Sequence, residues 1–300
     1  MLARLLVALG IAWAIATPSA QSDLDAFMAR VLERRDENWK KLQQYILEER
    51  ETFQVLDASG APRYGFRREY AWFVRDGFFI RSPLRADGVA IGERERGRAE
   101  DEWLRREQRR ERRRAERDNT TVPPAGDASG SVEDVLRQSV EPRFVSAAYF
   151  LRFTFDPGQY ALAGRESLDG RDVLRIEYYP TRMFAEGRTR PNRRIRERDE
   201  DVQDKMNKSA LVTLWVDQAA LQILRYEFTN IDMEFLPARA LVRVDALDAS
   251  MHMGQPFPGV WLPRSVGMRF DLTLATGAVK ARYDVEYHDY RLATVTTRVR

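Results

Sequence analysis

The residue types that most often carry enzyme chemistry are scarce in this sequence, which has two histidines and no cysteine among its 300 residues. His288 is followed directly by Asp289, but neighbouring residues on a strand point to opposite faces of a sheet, so we expect a structural or surface histidine. The triplet from Met251 to Met253 offers two thioethers and an imidazole, ligands that suit copper in an oxidising compartment. No further methionine or histidine lies close to the triplet in the sequence, and we predict no metal site and no cofactor.

Carboxylates are abundant, but their spacing matches no catalytic or metal-binding motif. An acid cluster from Asp199 to Asp204 lies in the charged segment 188–208, yet it lacks the central glycine and closing glutamate of a calcium-binding loop. The G-x-S-x-G and H-E-x-x-H motifs, the Walker loop and the Rossmann fingerprint are missing from the sequence. We therefore predict that the protein is not an enzyme, and a hydrolase with two convergent carboxylates stays open as an alternative.

The N-terminus has the pattern of a secretory signal peptide. One early arginine precedes an apolar run from Leu5 to Ala16, and small residues follow that run. The run is shorter than the roughly 20 residues of a membrane-spanning helix, although an uncleaved anchor stays open as an alternative. We expect cleavage after Ala20, or else after Ser22, which leaves residues 21–300 as a single domain exported to the periplasm. Without cysteine the chain has neither disulfides nor a lipid-bearing cysteine.

The stretch 93–118, "ERERGRAEDEWLRREQRRERRRAERD", predicts a charged helix that protrudes from the domain. Its acids come early and its arginines late, an order that complements the helix dipole. Trp103 and Leu104 are its only sizeable apolar residues, enough to attach one turn to the rest of the protein. A linker rich in proline, glycine and serine follows, so we assign residues 92–131 to an excursion from the main domain.

The basic second half of this helix allows two interpretations. It is either a solvated surface laced with ion pairs, or a site for lipid head groups or an acidic protein partner. The candidate contact residues for the second interpretation are Arg109, Arg110, Arg113 and Arg114. Nucleic acid is a poor partner, because acids are interleaved with the arginines, the formal net charge is only +3 and the chain has a signal peptide. We expect a monomer.

Hydrophobic periodicity predicts the fold class. An amphipathic helix begins at Ser22 or Asp23 and places apolar residues from Leu24 to Ile46 on one stripe. From Tyr45 onward the period changes to two, and about ten strands with turn signals between them follow. We predict an α+β, mainly β protein: a large curved antiparallel sheet, an incomplete barrel, closed by the N-terminal amphipathic helix.

The order of these elements resembles that of a known superfamily. A helix ending in "YILEERETFQV", a meander of long strands, then "LWVDQAALQILRYEF" and "GVWLPRSVGMRFDL" are similar to the periplasmic lipoprotein carriers (LolA/LolB-like). More closely, the chain resembles bacterial exported proteins grouped as outer-membrane lipoprotein-sorting-like. The resemblance implies an incomplete barrel with an apolar cavity for acyl chains, in proteins that carry lipoproteins, bind other lipids or sense envelope stress. The charged helix departs from the compact carriers.

Aromatic residues suggest where such a cavity would lie. The segments 69–80 and 143–155 are rich in Phe, Tyr and Trp, and a broad one-sided sheet has more apolar area than one helix covers. The cavity candidates, taken from alternating strand positions, are Tyr70, Trp72, Val74, Phe270, Leu272, Leu274, Tyr283, Val285 and Tyr287. We predict a periplasmic carrier of lipid or lipoprotein acyl chains. The alternative is an envelope sensory or scaffolding module that binds a protein partner through its Arg-rich helix.

Overall fold

The computed structural model describes residues 18–42, 44–118, 147–151, 153–180, 211–229, 242–274 and 277–293. Its helices are α1 (Pro18–Leu42), α2 (Glu93–Asp118) and α3 (Ala147–Leu151). Its first strands are β1 (Tyr45–Leu56), β2 (Pro62–Arg75), β3 (Phe78–Ala86), β4 (Val89–Ala90), β5 (Tyr160–Leu168) and β6 (Arg171–Tyr178). The later strands are β7 (Val212–Asp217), β8 (Gln222–Phe228), β9 (Val242–Phe257), β10 (Val260–Leu274) and β11 (Gly277–Leu292). The protein is mainly β, as the alternation of apolar residues predicts.

All the strands form one open antiparallel sheet in the order β4-β3-β2-β1-β11-β10-β9-β8-β7-β6-β5. Neighbours in this order are also neighbours in sequence, except for β1 and β11. The meander β1–β4 therefore joins the rest of the sheet through one pairing, between the first strand and the last. We refer to this β1–β11 pairing as the seam.

One face of the sheet, the inner face, carries the hydrophobic core. Helix α1 lies on it against β5, β8 and β10, with Met28 and Val31 fully buried. Asn38 of α1 donates a hydrogen bond to Gln222 of β8 at 2.6 Å. That α1 closes an incomplete barrel stays a prediction, since β4 and β5 are the edges of an open sheet.

The boundaries of α1 differ from those that the sequence suggests. The helix begins at Pro18, so Ser22 and Asp23 lie within it and do not cap it. Proline favours the first turn of a helix, where its missing N–H is not needed. At the other end, Tyr45 and Ile46 belong to β1, because their backbones pair with Leu292 and Arg291 across the seam. The rest of the predicted signal peptide lies outside the described residues, and no helix in the described ranges is long and apolar enough to cross a membrane.

The charged stretch 93–118 forms α2, as predicted, and Trp103 attaches it to the sheet. The Trp103 indole N–H donates to the Phe79 carbonyl at 3.1 Å, and its ring meets Trp72 edge-on at 5.6 Å. Asp101 pairs with Arg75 of β2 at 2.7 Å. The contacts with β3 mean that the first half of α2 packs along this strand, near the edge of the sheet. The linker after α2 lies outside the described residues.

A β-bulge in the seam alters the predicted directions of the His288 and Asp289 side chains. The register of β1 against β11 shifts between Ile46 and Glu48, which leaves two residues of β11 opposite Leu47. Asp289, one of the two, has a φ of 52° in the left-handed region, and bulges re-aim side chains in this way. His288 Nδ1 therefore lies 2.7 Å from Asp289 Oδ2, and the prediction that these two side chains point apart is wrong.

Candidate binding surface on the inner face

The strand register places all nine predicted cavity residues on the inner face. Residues directly opposite each other in an antiparallel pair point to the same side of the sheet. Tyr70 and Tyr287 both lie opposite Glu49, and Phe270 lies opposite Ala281 on β11. Alternation along each strand brings the others to the same side, namely Trp72, Val74, Leu272, Leu274, Tyr283 and Val285.

The nine residues nevertheless differ in what surrounds them. Tyr283 and Val285 are 6% and 2% exposed and belong to the packed core. Tyr70, Trp72 and Tyr287 are half-buried near a cluster of charged residues. Val74 is 43% exposed, and the three candidates on β10 are half-buried. Whether any of them contacts a ligand stays a prediction.

Half-buried and exposed apolar residues form a continuous surface at one end of the inner face, which we name the apolar strip. Its members are Phe53, Val55, Tyr64, Phe66, Phe270, Leu272 and Val279. Cross-strand pairs connect members on neighbouring strands: Phe53 lies opposite Phe66, Val55 opposite Tyr64, and Leu272 opposite Val279. The two halves meet at the buried Ala281 of β11, which lies between Val55 and Phe270. The rings of Phe53 and Phe66 stack at 5.4 Å. Tyr64 is 61% exposed, so the strip is open at the β2 side.

Sequence reasoning identified Phe270 and Leu272 of this strip but missed its other members. The missed residues on β1 could have been found, because Phe53 and Val55 continue the odd-numbered alternation that begins at Leu47. On β2, Tyr64 and Phe66 share the parity of Tyr70 and Trp72.

A buried cluster of charged residues lies beside the strip. Glu49, Glu51 and Arg81 are 3%, 1% and 5% exposed. Arg81 makes a short hydrogen bond to Glu49, and its Nη2 donates to Glu51 Oε2 at 2.8 Å. The Trp72 indole N–H donates to Glu49 at 2.7 Å, and the Arg81 guanidinium lies 3.4 Å from the centre of the Tyr70 ring. Sequence reasoning missed this cluster, which we name the Arg81 cluster.

The electrostatics of the cluster keep Arg81 charged. Burial alone would lower the pKa of Arg81, but the negative charge of Glu49 and Glu51 and the neighbouring Tyr70 hydroxyl raise it above its usual range. Burial also raises the pKa of the Tyr283 hydroxyl well above its ordinary value. Both carboxylates accept hydrogen bonds from Arg81, which fixes their positions on the sheet.

A second arginine lies between the cluster and the strip. Arg68 is the cross-strand neighbour of Glu51, and its guanidinium stacks on Phe66 at 4.1 Å. The inner face of β1–β3 thus combines two acids, Glu49 and Glu51, with two arginines, Arg68 and Arg81. Their formal charges balance.

Two surface depressions elsewhere are lined mainly by polar and charged residues. One, of about 560 Å³, lies beside His288 and Asp289. The other, of about 820 Å³, lies at the turns of β5–β7 and includes Glu166 and Asp217. Neither contains a member of the apolar strip.

The structure describes some of the remaining residues that the sequence suggested as metal ligands or partner contacts. Met251 and Met253 are buried, whereas His252 between them is half-buried and points to the opposite face, so the three do not converge on a copper ion. Arg109 of α2 is exposed, and the side chains of Arg110, Arg113 and Arg114 lie outside the described part of the chain. The acid cluster from Asp199 to Asp204 lies outside it as well.

The fold defines an open antiparallel-sheet protein whose inner face is packed at one end and apolar but exposed at the other. No protein-family model and no curated protein matches the chain. Among solved structures it is similar to a DUF1329 family protein from Desulfovibrio piger, with 12% identity, a TM-score of 0.35, and coverage of 91% of this chain and 94% of that one.

Two further solved structures are similar to the chain. The Pseudomonas aeruginosa MucA/MucB complex has 11% identity, a TM-score of 0.19, and coverage of 91% of this chain and 100% of that one. The Mycobacterium tuberculosis lipoprotein LppX has 9% identity, a TM-score of 0.21, and coverage of 91% and 98%. That the chain is a carrier of lipoproteins stays a prediction.

Proposed function

We propose that this protein is a carrier of the bacterial cell envelope that binds the acyl chains of a lipid or lipoprotein and performs no chemistry on them. The observation that carries the proposal is the apolar strip. Its residues keep exposed surface on the same face of the sheet that elsewhere buries a dense core. Exposed apolar surface of this kind is typical of binding sites.

The composition of the strip favours an alkyl ligand. Its cross-strand pairs, Phe53 with Phe66 and Leu272 with Val279, bring together aromatic and aliphatic side chains only. Each methylene group removed from water contributes about 0.8 kcal/mol, so eight methylenes contribute about 6 kcal/mol before the cost of ordering the chain. The neighbouring guanidinium of Arg68 suits an anionic head group at the inner end of the strip.

Two matched valine substitutions test the proposal. Val279 lies in the strip, whereas Val89 of β4 is 71% exposed and lies outside it. Val279→Asp places a charge against the ligand and displaces two or three methylenes, which weakens binding of a fluorescent fatty acid by about 2 kcal/mol, or about 30-fold. Val89→Asp leaves binding unchanged. Equal affinity in both variants and the wild type, with the fold intact by circular dichroism, contradicts the proposal.

Export to the periplasm is part of the same proposal, since a carrier of this kind acts between membranes. N-terminal sequencing of the protein from the native envelope tests it. A mature chain that begins at Gln21 or Asp23 supports export, and an intact Met1 contradicts cleavage.

A second candidate function rests on α2. This helix is attached to the sheet by Trp103, and further along it Arg109 and Arg112 are exposed. In a sensory or scaffolding module these arginines would meet an acidic protein partner. Charge reversal at Arg109, Arg110, Arg113 and Arg114 should then abolish a pull-down that the Val279→Asp variant retains. An unchanged pull-down after charge reversal removes this candidate.

A further inference from the structure

The bulge in the seam brings three metal-ligating side chains together on the outer face of the sheet. Glu48 of β1 lies directly opposite His288 of β11. The left-handed backbone at Asp289 turns its carboxylate toward the His288 imidazole, at 2.7 Å. One ligand atom from each residue lies within 4.8 Å of those of the other two.

These distances suit a small divalent ion once the three side chains have shifted slightly. In a tetrahedral zinc site with bonds of about 2.1 Å, neighbouring ligand atoms lie about 3.4 Å apart. The imidazole and the Asp289 carboxylate therefore separate by less than about 1 Å, and the Glu48 carboxylate moves inward by up to about 1.4 Å. All three side chains retain exposed surface, so each can change its rotamer without disturbing the core.

Two of the three surrounding arginines pair with carboxylates outside the proposed site. Arg50 pairs with Glu286 at 3.2 Å, and Arg264 pairs with Asp169 at 3.5 Å. Arg291 lies 3.9 Å from Glu48, a long contact on a side chain that is 66% exposed and can turn toward solvent. The depression of about 560 Å³ beside His288 and Asp289 leaves room for water or an anion at an open coordination position.

We propose that Glu48, His288 and Asp289 bind a divalent transition-metal ion, with zinc as the best match. One imidazole with two carboxylates is a donor set for zinc, cobalt or nickel, whereas calcium and magnesium prefer oxygen ligands alone. The ion links β1 to β11 at the pairing that, among the described strands, joins the β1–β4 meander to the rest of the sheet. A bound ion therefore stabilises this pairing, independently of any ligand on the inner face.

The test uses the full mature chain, purified without a histidine tag, and zinc chloride as the probe. Isothermal titration is expected to give one site, and cobalt is expected to give visible absorption bands. His288→Ala and Glu48→Gln should each weaken zinc binding by about tenfold or more. His252→Ala is the matched control and should bind zinc as the wild type does. Because the chain has only two histidines, NMR can show directly that the His288 imidazole shifts on titration while His252 does not.

The outcome that overturns the proposal is equally specific. Equal zinc affinity in the wild type, His288→Ala and Glu48→Gln assigns any binding to another place on the chain. A wild type that shows no saturable binding below about 100 µM zinc also overturns it. Glu48→Gln is nearly isosteric, so it keeps the test valid if His288→Ala fails to fold.

Discussion

The inner face has two regions in which side chains alternate along the strands in the same way, but the regions differ in how much of their apolar surface is buried. In the covered region, on β5–β8, the rings of Phe150 and Phe153 pack on Phe228 at 5.1 Å and 5.0 Å, and α1 packs against the region as well. The open region, on β1, β2, β10 and β11, is the apolar strip, and the buried Arg81 cluster lies beside it. The covered region is buried, whereas the open region keeps apolar surface exposed.

This difference indicates where stability and binding reside. A core gains its stability from side chains without remaining exposure, and several members of the covered region, such as Ile176 and Leu214, are fully buried. Strip residues contribute less to folding because they keep contact with water. They can therefore be occupied by a ligand at little cost to the fold.

The largest effect is expected from the Arg81 cluster. Arg81→Met leaves Glu49 and Glu51 buried without the guanidinium that pairs with both, which lowers the free energy of unfolding by about 3–5 kcal/mol. Urea denaturation of the wild type and the variant at neutral pH measures this loss in the free energy of unfolding. Adding Glu49→Gln and Glu51→Gln to Arg81→Met should recover part of the loss. Arg85→Met, at an exposed position on the same strand, is the control and should cost less than about 0.5 kcal/mol.

The second-largest loss of stability is expected when a phenylalanine of the covered region, and not one of the strip, is replaced by alanine. Phe228→Ala in the covered region removes a ring that is 1% exposed and should cost about 3–4 kcal/mol. Phe66→Ala in the strip removes a half-buried ring and should cost about 1 kcal/mol, since less surface returns to water. Equal losses in urea denaturation would mean that the strip is core, and the distinction between the two regions would fail.

A smaller effect is expected where α2 meets β3. Trp103→Ala removes the hydrogen bond to the Phe79 carbonyl and the contact with Trp72, at a cost of about 2 kcal/mol. Hydrogen exchange should become faster in α2 while the covered region stays protected. Arg105→Ala, at an exposed position on the same helix, should leave exchange unchanged. Unchanged exchange in Trp103→Ala would show that other contacts attach the helix.

The smallest predicted effect is the pH dependence of stability that arises from Asp57, in the turn after β1. Hydrogen bonds from the Ser59 hydroxyl and the Ala61 N–H lower the pKa of Asp57 from 3.8 to about 2. Because the pKa of Asp57 is lower in the folded protein than in the unfolded chain, its ionised carboxylate stabilises the folded turn above about pH 4. This stabilisation is lost as the pH falls through about 2. NMR titration should give the low value in the wild type and a higher one in Ser59→Ala. A pKa of Asp57 that is the same in both proteins contradicts this assignment.

Much of the fold follows from local patterns. The stretch 93–118 is helical to the residue, and the nine cavity candidates share one face because alternation along a strand fixes their side. The Arg81 cluster escaped prediction, because charged residues in an alternating strand are ordinarily assigned to the wet face. Glu49 and Glu51 are buried only because Arg81 pairs with them from β3, and a pairing between strands is invisible to periodicity.

The convergence of Glu48, His288 and Asp289 escaped prediction for a related reason. It depends on β1 meeting β11 and on a bulge at Asp289, and neither has a signal in the residues around position 288. The change of period at Tyr45 correctly predicted the start of β1. The predicted start of α1 was wrong, and its end was placed too late because Tyr45 and Ile46 fit a helical stripe as well as they fit a strand.

The measurement that tests the central claim most directly is photo-crosslinking with a diazirine-labelled fatty acid, mapped by peptide mass spectrometry. The claim is that the open region, and not the covered region, binds the acyl chain. We predict adducts on strip residues such as Tyr64, Phe66 and Leu272, which disappear in Val279→Asp. Adducts confined to the outer face, or none at all in a folded protein, would contradict the account.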